Sequence, residues 1–85
     1  MSSSRLVPLD EPRTVTVRTD GRGVPVAVAP EDRLLEVEAV RETWRIDDEW
    51  WRRPVTRLYH AVVLENGALA TVFRDLEDGR WYLHG

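Results

Sequence analysis

Acidic side chains gather twice in this 85-residue chain, at Asp47, Asp48 and Glu49 and again at Asp75, Glu77 and Asp78. Converging carboxylates could hold a divalent cation or share a proton in a hydrolytic reaction, but either task needs several oxygens brought to one point by the fold. Aspartate also serves turns, because its side chain accepts hydrogen bonds from nearby backbone N–H groups, and we read both clusters that way. Ser2, Ser3 and Ser4 are the only serines and fall in the first residues of the chain, away from any scaffold that could activate a nucleophile. His60 and His84 have no partner at a fixed spacing and are read as packed or surface residues. There is no cysteine, so no thiolate zinc site is available and no metal is expected. The "GRG" and "NG" glycines precede no helix start that could cradle a phosphate, so no cofactor is expected, and the chain is read as a non-enzyme.

Tryptophan and arginine are the residues best placed to act. In "DDEWWRRP", residues 47–54, two tryptophans stand side by side, and in an extended backbone neighbouring side chains point to opposite faces. One of Trp50 and Trp51 then faces outward, and Trp50 is taken as that residue. Arg45, Arg52, Arg53 and Arg57 surround Trp44, Trp50, Trp51 and Tyr59, a combination enriched where interfaces concentrate binding energy. Trp50, Arg52, Arg53, Arg57, Tyr59 and Tyr82 are therefore the candidate partner-binding residues. The same face could stack single-stranded bases, although Asp47, Asp48 and Glu49 would repel a phosphate backbone. A purely structural alternative makes Trp44, Trp51 and Trp81 core residues with arginine stems lying across them.

The elements that must hold these residues read as strands. "RTVTVR" and "VPVAVA" alternate around "DGRG", giving a hairpin with Val24, Val26 and Val28 on one side. Pro25 cannot donate to a ladder, which places its strand at an edge or turns Pro25 away from its partner. Residues 31–42 are ambiguous. Leu34, Val37 and Val40 recur at helical spacing, whereas Leu35, Val37 and Ala39 alternate with acids, and we prefer a strand. "VTRLYHAVVL" and "ALATVF" flank "ENG" as a second hairpin, and "RDLEDG" turns the chain into "RWYLH". The expectation is all-β, an antiparallel meander of about six strands curled into a sheet or small open barrel. Residues 1–12 read as a flexible arm and 13–85 as a single β domain.

Hydrophobic residues make up 42% of the chain and charged residues 32%, the balance of a folded domain with room for one core. The formal charge of −3 argues against attachment to nucleic acid by bulk charge. The opening "MSSSRLVPLDEP" has no apolar run of signal-peptide or membrane-span length, from which a cytoplasmic location is expected. All the basic residues are arginine, which we read first as the mark of a GC-rich genome, although arginine also suits planar stacking and bidentate pairing.

From Trp44 onward the chain also carries a pattern of aromatics: Trp44-Arg45-Ile46, then Glu49-Trp50-Trp51, Arg57 and Tyr59, Phe73-Arg74-Asp75, and finally Gly79 through Gly85. It resembles a small bacterial family of unknown function whose pattern also closes ImuB proteins, the Y-family polymerase relatives of mutagenic translesion-synthesis cassettes. "PRTVTVRTDGRGVPVAV" is similar to that family's opening hairpin, and Leu58 departs from the paired tyrosines common beside Tyr59. The resemblance implies a non-catalytic protein-interaction module tied to DNA-damage tolerance and DNA repair. Its partners would be translesion components such as an error-prone DnaE-type polymerase. The chain contains no glutamine and hence no glutamine-led clamp-binding peptide.

Overall fold

The computed structural model describes residues 12–50 and 53–84, and these form β1 (Arg13–Thr14), β2 (Thr16–Thr19), β3 (Pro25–Ala29), β4 (Leu35–Trp50), β5 (Arg53–Leu64), β6 (Leu69–Asp75) and β7 (Trp81–His84). Residues 1–11, where the arm was expected, together with 51, 52 and 85 and the side chains of 49, 50 and 53, lie outside the described residues. All neighbouring strands pair antiparallel, in the order β1-β7-β6-β5-β4-β3-β2, and no described residue is helical. This is the all-β antiparallel meander expected from the sequence. β1 and β2 are one extended stretch interrupted at Val15, whose N–H donates to the Trp81 carbonyl at 3.1 Å. That stretch pairs with β7 through Arg13 and Thr14 and with β3 through Thr16 to Thr19, so it brings the two ends of the meander together. The sheet is thereby nearly closed into a barrel.

Acidic turn residues set the reversals. Asp20 Oδ1 accepts the N–H groups of Arg22 (2.8 Å) and Val24 (3.0 Å), and Asp75 Oδ1 accepts those of Glu77 (2.8 Å) and Asp78 (3.4 Å). Asp78 Oδ1 in turn accepts the Arg80 N–H at 2.7 Å. Gly67 and Gly79 close their turns at φ of 86° and 75°, a left-handed conformation that costs glycine nothing and strains residues carrying a Cβ. Their N–H groups bond back to the carbonyls of Leu64 (2.8 Å) and Asp75 (2.7 Å).

β4 resolves the ambiguity of residues 31–42. It is one long strand, and its register against β5 steps from Val37↔Leu64 to Ala39↔Val63 and from Val40↔Val62 to Glu42↔Ala61. Glu38 and Arg41 are thus extra residues, two β-bulges in quick succession. Each bulge stretches the two-residue repeat to three, so Val37, Val40 and Thr43 all fall on the face shared with Leu64, Val62 and His60. The spacing that resembled a helix is the signature of a twice-bulged strand. Leu34 is exposed, and Leu35 takes the core position instead.

A third bulge corrects the reading of the first hairpin. Thr19 pairs with Pro25 and Arg18 with Ala27, which makes Val26 the extra residue and turns it to solvent. Pro25, Ala27 and Val28 are buried in place of an alternating valine row. β3 is no edge strand, having β2 on one side and β4 on the other, and Pro25 is accommodated as its first residue, beside the bulge.

The barrel interior is filled by Val28, Leu35, Val62, Leu64 and Val72, with Val15, Val17, Val37, Ala70, Trp81 and Leu83 packed against them. Truncating a fully buried residue of this set leaves a cavity as well as losing apolar contact. Leu64→Ala should lower the free energy of unfolding by about 2–5 kcal/mol. Leu69→Ala, at a side chain 69% exposed, should change it by less than about 0.5 kcal/mol. Urea unfolding of the two variants beside the wild type measures the difference.

Candidate interaction face

Four strands carry an aromatic residue at the same level of the sheet. Trp44 pairs with Tyr59 across β4 and β5, Tyr59 with Phe73 across β5 and β6, and Phe73 with Tyr82 across β6 and β7. In β5, β6 and β7 the next residue along points the other way, into the barrel: His60 beside Tyr59, Val72 beside Phe73, and Trp81 and Leu83 beside Tyr82, and Trp44 shares the face of Tyr59 directly opposite it. The four rings therefore stand on the outer face. They form a continuous ladder, with centroids 5.2 Å apart for Trp44 and Tyr59 (interplanar 6°), 4.9 Å for Tyr59 and Phe73, and 5.2 Å for Phe73 and Tyr82 (18°). Such pairs contribute about 0.5–1.5 kcal/mol each beyond the area they bury.

The middle of the ladder is buried. Phe73 is 1% exposed and Tyr59 5%, although both lie outside the barrel core. Arg57, two residues before Tyr59 on the same face, holds its guanidinium 4.5 Å from the centre of the Phe73 ring, and its NH1 donates to the Tyr59 hydroxyl at 3.3 Å. Arg57 Nε is buried without a hydrogen-bond partner, so the group is held by the ring quadrupole and the tyrosine oxygen more than by a full set of acceptors. The His84 ring stands edge-on to Tyr59 at 5.7 Å. Ile46, directly opposite Arg57 in the register, is 38% exposed and borders the ladder.

Tyr82 is fixed at the other end by its hydroxyl, which donates to Asp78 Oδ2 at 2.7 Å. That bond to a carboxylate raises the tyrosine's pKa above its ordinary value. Asp78 is lowered, first by the Arg80 backbone N–H and then by the tyrosine hydroxyl. The acidic turn residues Asp75 and Asp78 thus have structural work, satisfying backbone donors and anchoring the ladder. Among the described residues no group of three or more His, Cys, Asp or Glu side chains could hold a metal ion.

Of the residues singled out in the sequence, Arg57, Tyr59 and Tyr82 come together on this face, with Tyr59 as a buried support. The side chains of Trp50, Arg52 and Arg53 lie outside the described residues. Arg45 does not join Trp44, since it points to the opposite face and pairs with Asp47 at 2.8 Å. The structural alternative for the tryptophans holds for Trp81, which packs against the barrel core, and fails for Trp44. Trp51 lies outside the described residues. Trp44, Ile46 and Phe73 belong to the face and were absent from the candidate set. Counting outward from the tight turns would have found the ladder, because the registers fixed there carry Trp44, Tyr59, Phe73 and Tyr82 to one level.

His60 lies on the inner face, 3% exposed, with Nδ1 3.1 Å from Thr43 Oγ1, its ring 5.7 Å from that of Trp81, and Nε2 buried without a partner. Desolvation lowers its pKa below 6.5 and keeps it neutral. Comparison with protein families, with curated proteins and with solved structures finds no match to this chain.

Two predictions follow from these environments. The unfolded chain takes up a proton near pH 6.5 that folded His60 resists, so its contribution is fully present above that value and stability falls as the pH drops below it. Unfolding free energies measured between pH 7 and pH 5 should show this slope, and His60→Gln should flatten it. In a spectrophotometric titration Tyr82 should ionise above 10, and Asp78→Asn should bring that transition back toward 10.

Proposed function

We infer that the chain is a protein-interaction module that meets its partner through the outer face of β4–β7. The observation that carries this reading is the ring ladder from Trp44 to Tyr82, clamped by Arg57 over Phe73 on the side of the sheet away from the core. A barrel of this size is filled by its inner cluster, and aromatic surface on the opposite side is the kind that concentrates binding energy. Its accessible parts are Trp44, Ile46, Arg57, Tyr82 and His84, a mixture of apolar, cationic and hydrogen-bonding groups suited to a protein surface.

The resemblance to the ImuB tail supplies the context. In that reading the module is non-catalytic, works in DNA-damage tolerance and binds components of the translesion cassette, of which the error-prone DnaE-type polymerase is the first to test. A single-stranded nucleic acid is the second reading, favoured by the same rings as a stacking platform and opposed by the net charge of −3.

Binding of the purified DnaE-type polymerase to the immobilised domain separates these readings. Wild type should bind, and Ile46→Asp should lose at least about tenfold in affinity while its thermal midpoint stays close to wild type, as expected for an exposed apolar contact. No binding by the wild type would remove the polymerase assignment. Binding of an oligonucleotide that quenches tryptophan fluorescence and weakens steeply with salt would move the face to nucleic acid.

A further inference from the structure

From Val37 to Asp47, β4 is hydrogen-bonded to β5 on one side only. β3 leaves it after Ala27↔Glu36 and Val28↔Leu35, and among the described residues no other strand takes the vacated side. Such an edge offers a row of backbone N–H and C=O groups to another strand, and proteins commonly blunt it with bulges and charges. β4 does so at its start, where Glu38 and Arg41 bulge. From Glu42 to Ile46 its register with β5 runs without a break, so this segment is straight enough to accept a partner strand.

We propose that the occupant of this edge is a second copy of the chain, β4 against β4 antiparallel, with Trp44 opposite Trp44 of the second copy. An isologous pair of edge strands has its two-fold axis perpendicular to the sheet, so residues opposite each other come from the same face and the register can change only in steps of two. Charge distinguishes the three registers centred on Thr43, Trp44 and Arg45. Centred on Thr43, the pairing sets Arg41 against Arg45, and centred on Arg45 it sets that arginine against itself, both repulsive. Centred on Trp44, it sets Thr43 against Arg45 and Glu42 against Ile46 and brings Arg41, at the bulge, toward Asp47, which within its own strand pairs with Arg45, so that opposite charges meet at both ends and no like charges face.

Aromatic continuity favours the same register. Trp44 stands at the open-edge end of the ladder and is half-buried, with Tyr59 stacked beside it across the β4–β5 pair. Pairing through Trp44 joins its ring to the ring of the second copy. The ladder would then run unbroken from Tyr82 of one copy to Tyr82 of the other, and both outer faces would lie on one side of a continuous sheet. The dimer edge shares Trp44 and Ile46 with the margin of the face assigned to the polymerase, but Arg41 and Asp47, whose exchange tests the dimer, lie outside that face, so the two can fail separately.

Light scattering across micromolar to millimolar concentration tests the proposal, supported by a charge exchange. The wild-type mass should rise from 9.9 kDa toward twice that value. Arg41→Asp alone and Asp47→Arg alone each place like charges opposite one another and should stay monomeric, whereas their equimolar mixture restores both attractive pairs and should dimerise. Both positions are exposed, and the Arg45–Asp47 pair that Asp47→Arg removes is a surface one, so circular dichroism should match the wild type. A wild type that remains monomeric throughout, single variants that dimerise as it does, or a mixture that fails to recover would each overturn the assignment.

Discussion

β5 is hydrogen-bonded along most of its length to β4 on one side and β6 on the other, and it carries large side chains on both faces. Strand alternation forces that division: placing Val62 and Leu64 in the barrel commits Tyr59 to the outside, and His60 to the inside. An isolated β-sheet can leave one face polar, but "LYHAVV" leaves neither face of β5 so. The two demands are met in different ways. The inner face is covered by closing the meander, with β1 and β2 bridging β7 to β3. On the outer face the aromatic side chains stack on those of the neighbouring strands, with Arg57 laid across Phe73.

Charge in this molecule is arranged around those two clusters rather than as a field. Asp20 and Asp75 spend their carboxylates on turn N–H groups, and Asp78 divides its two oxygens between a turn and the Tyr82 hydroxyl. Acidic residues that could have suggested metal or acid–base chemistry are thereby tied to the geometry of the reversals. Arginine is used where its planar head can lie on a ring, at Arg57, or pair with a neighbouring carboxylate, at Arg45, both of which suit a guanidinium better than an ammonium.

Much of this was legible from residue patterns, and the failures have specific physical causes. The hairpins around "DGRG" and "ENG" and the turn at "LEDG" were readable because turn chemistry is local. Bulges are less so, since an extra residue is set by the pairing strand and leaves no fixed mark in its own segment. The bulges at Glu38 and Arg41 turned a strand repeat into a helix-like one, and the bulge at Val26 broke an apparent valine row. Arg57 and Tyr82 were singled out from residue type alone, and Tyr59 with them, although its ring is buried. Phe73 was passed over because an apolar ring in a β-branched segment reads as core. Its place on the outer face follows only from the registers at the flanking turns.

The claim on which the functional account rests is that the outer ladder, and not the barrel mouth or the open clefts, is the contact face. The most direct measurement is a titration of the isotopically labelled domain with the unlabelled DnaE-type polymerase, followed residue by residue by NMR. The account predicts loss or shift of signal at Trp44, Ile46, Arg57, Tyr82 and His84, with Val28, Leu35 and Leu64 unperturbed. Perturbation centred instead on the cleft formed by Pro30, Leu69, Ala70 and Thr71, with the ladder residues unchanged, would contradict it.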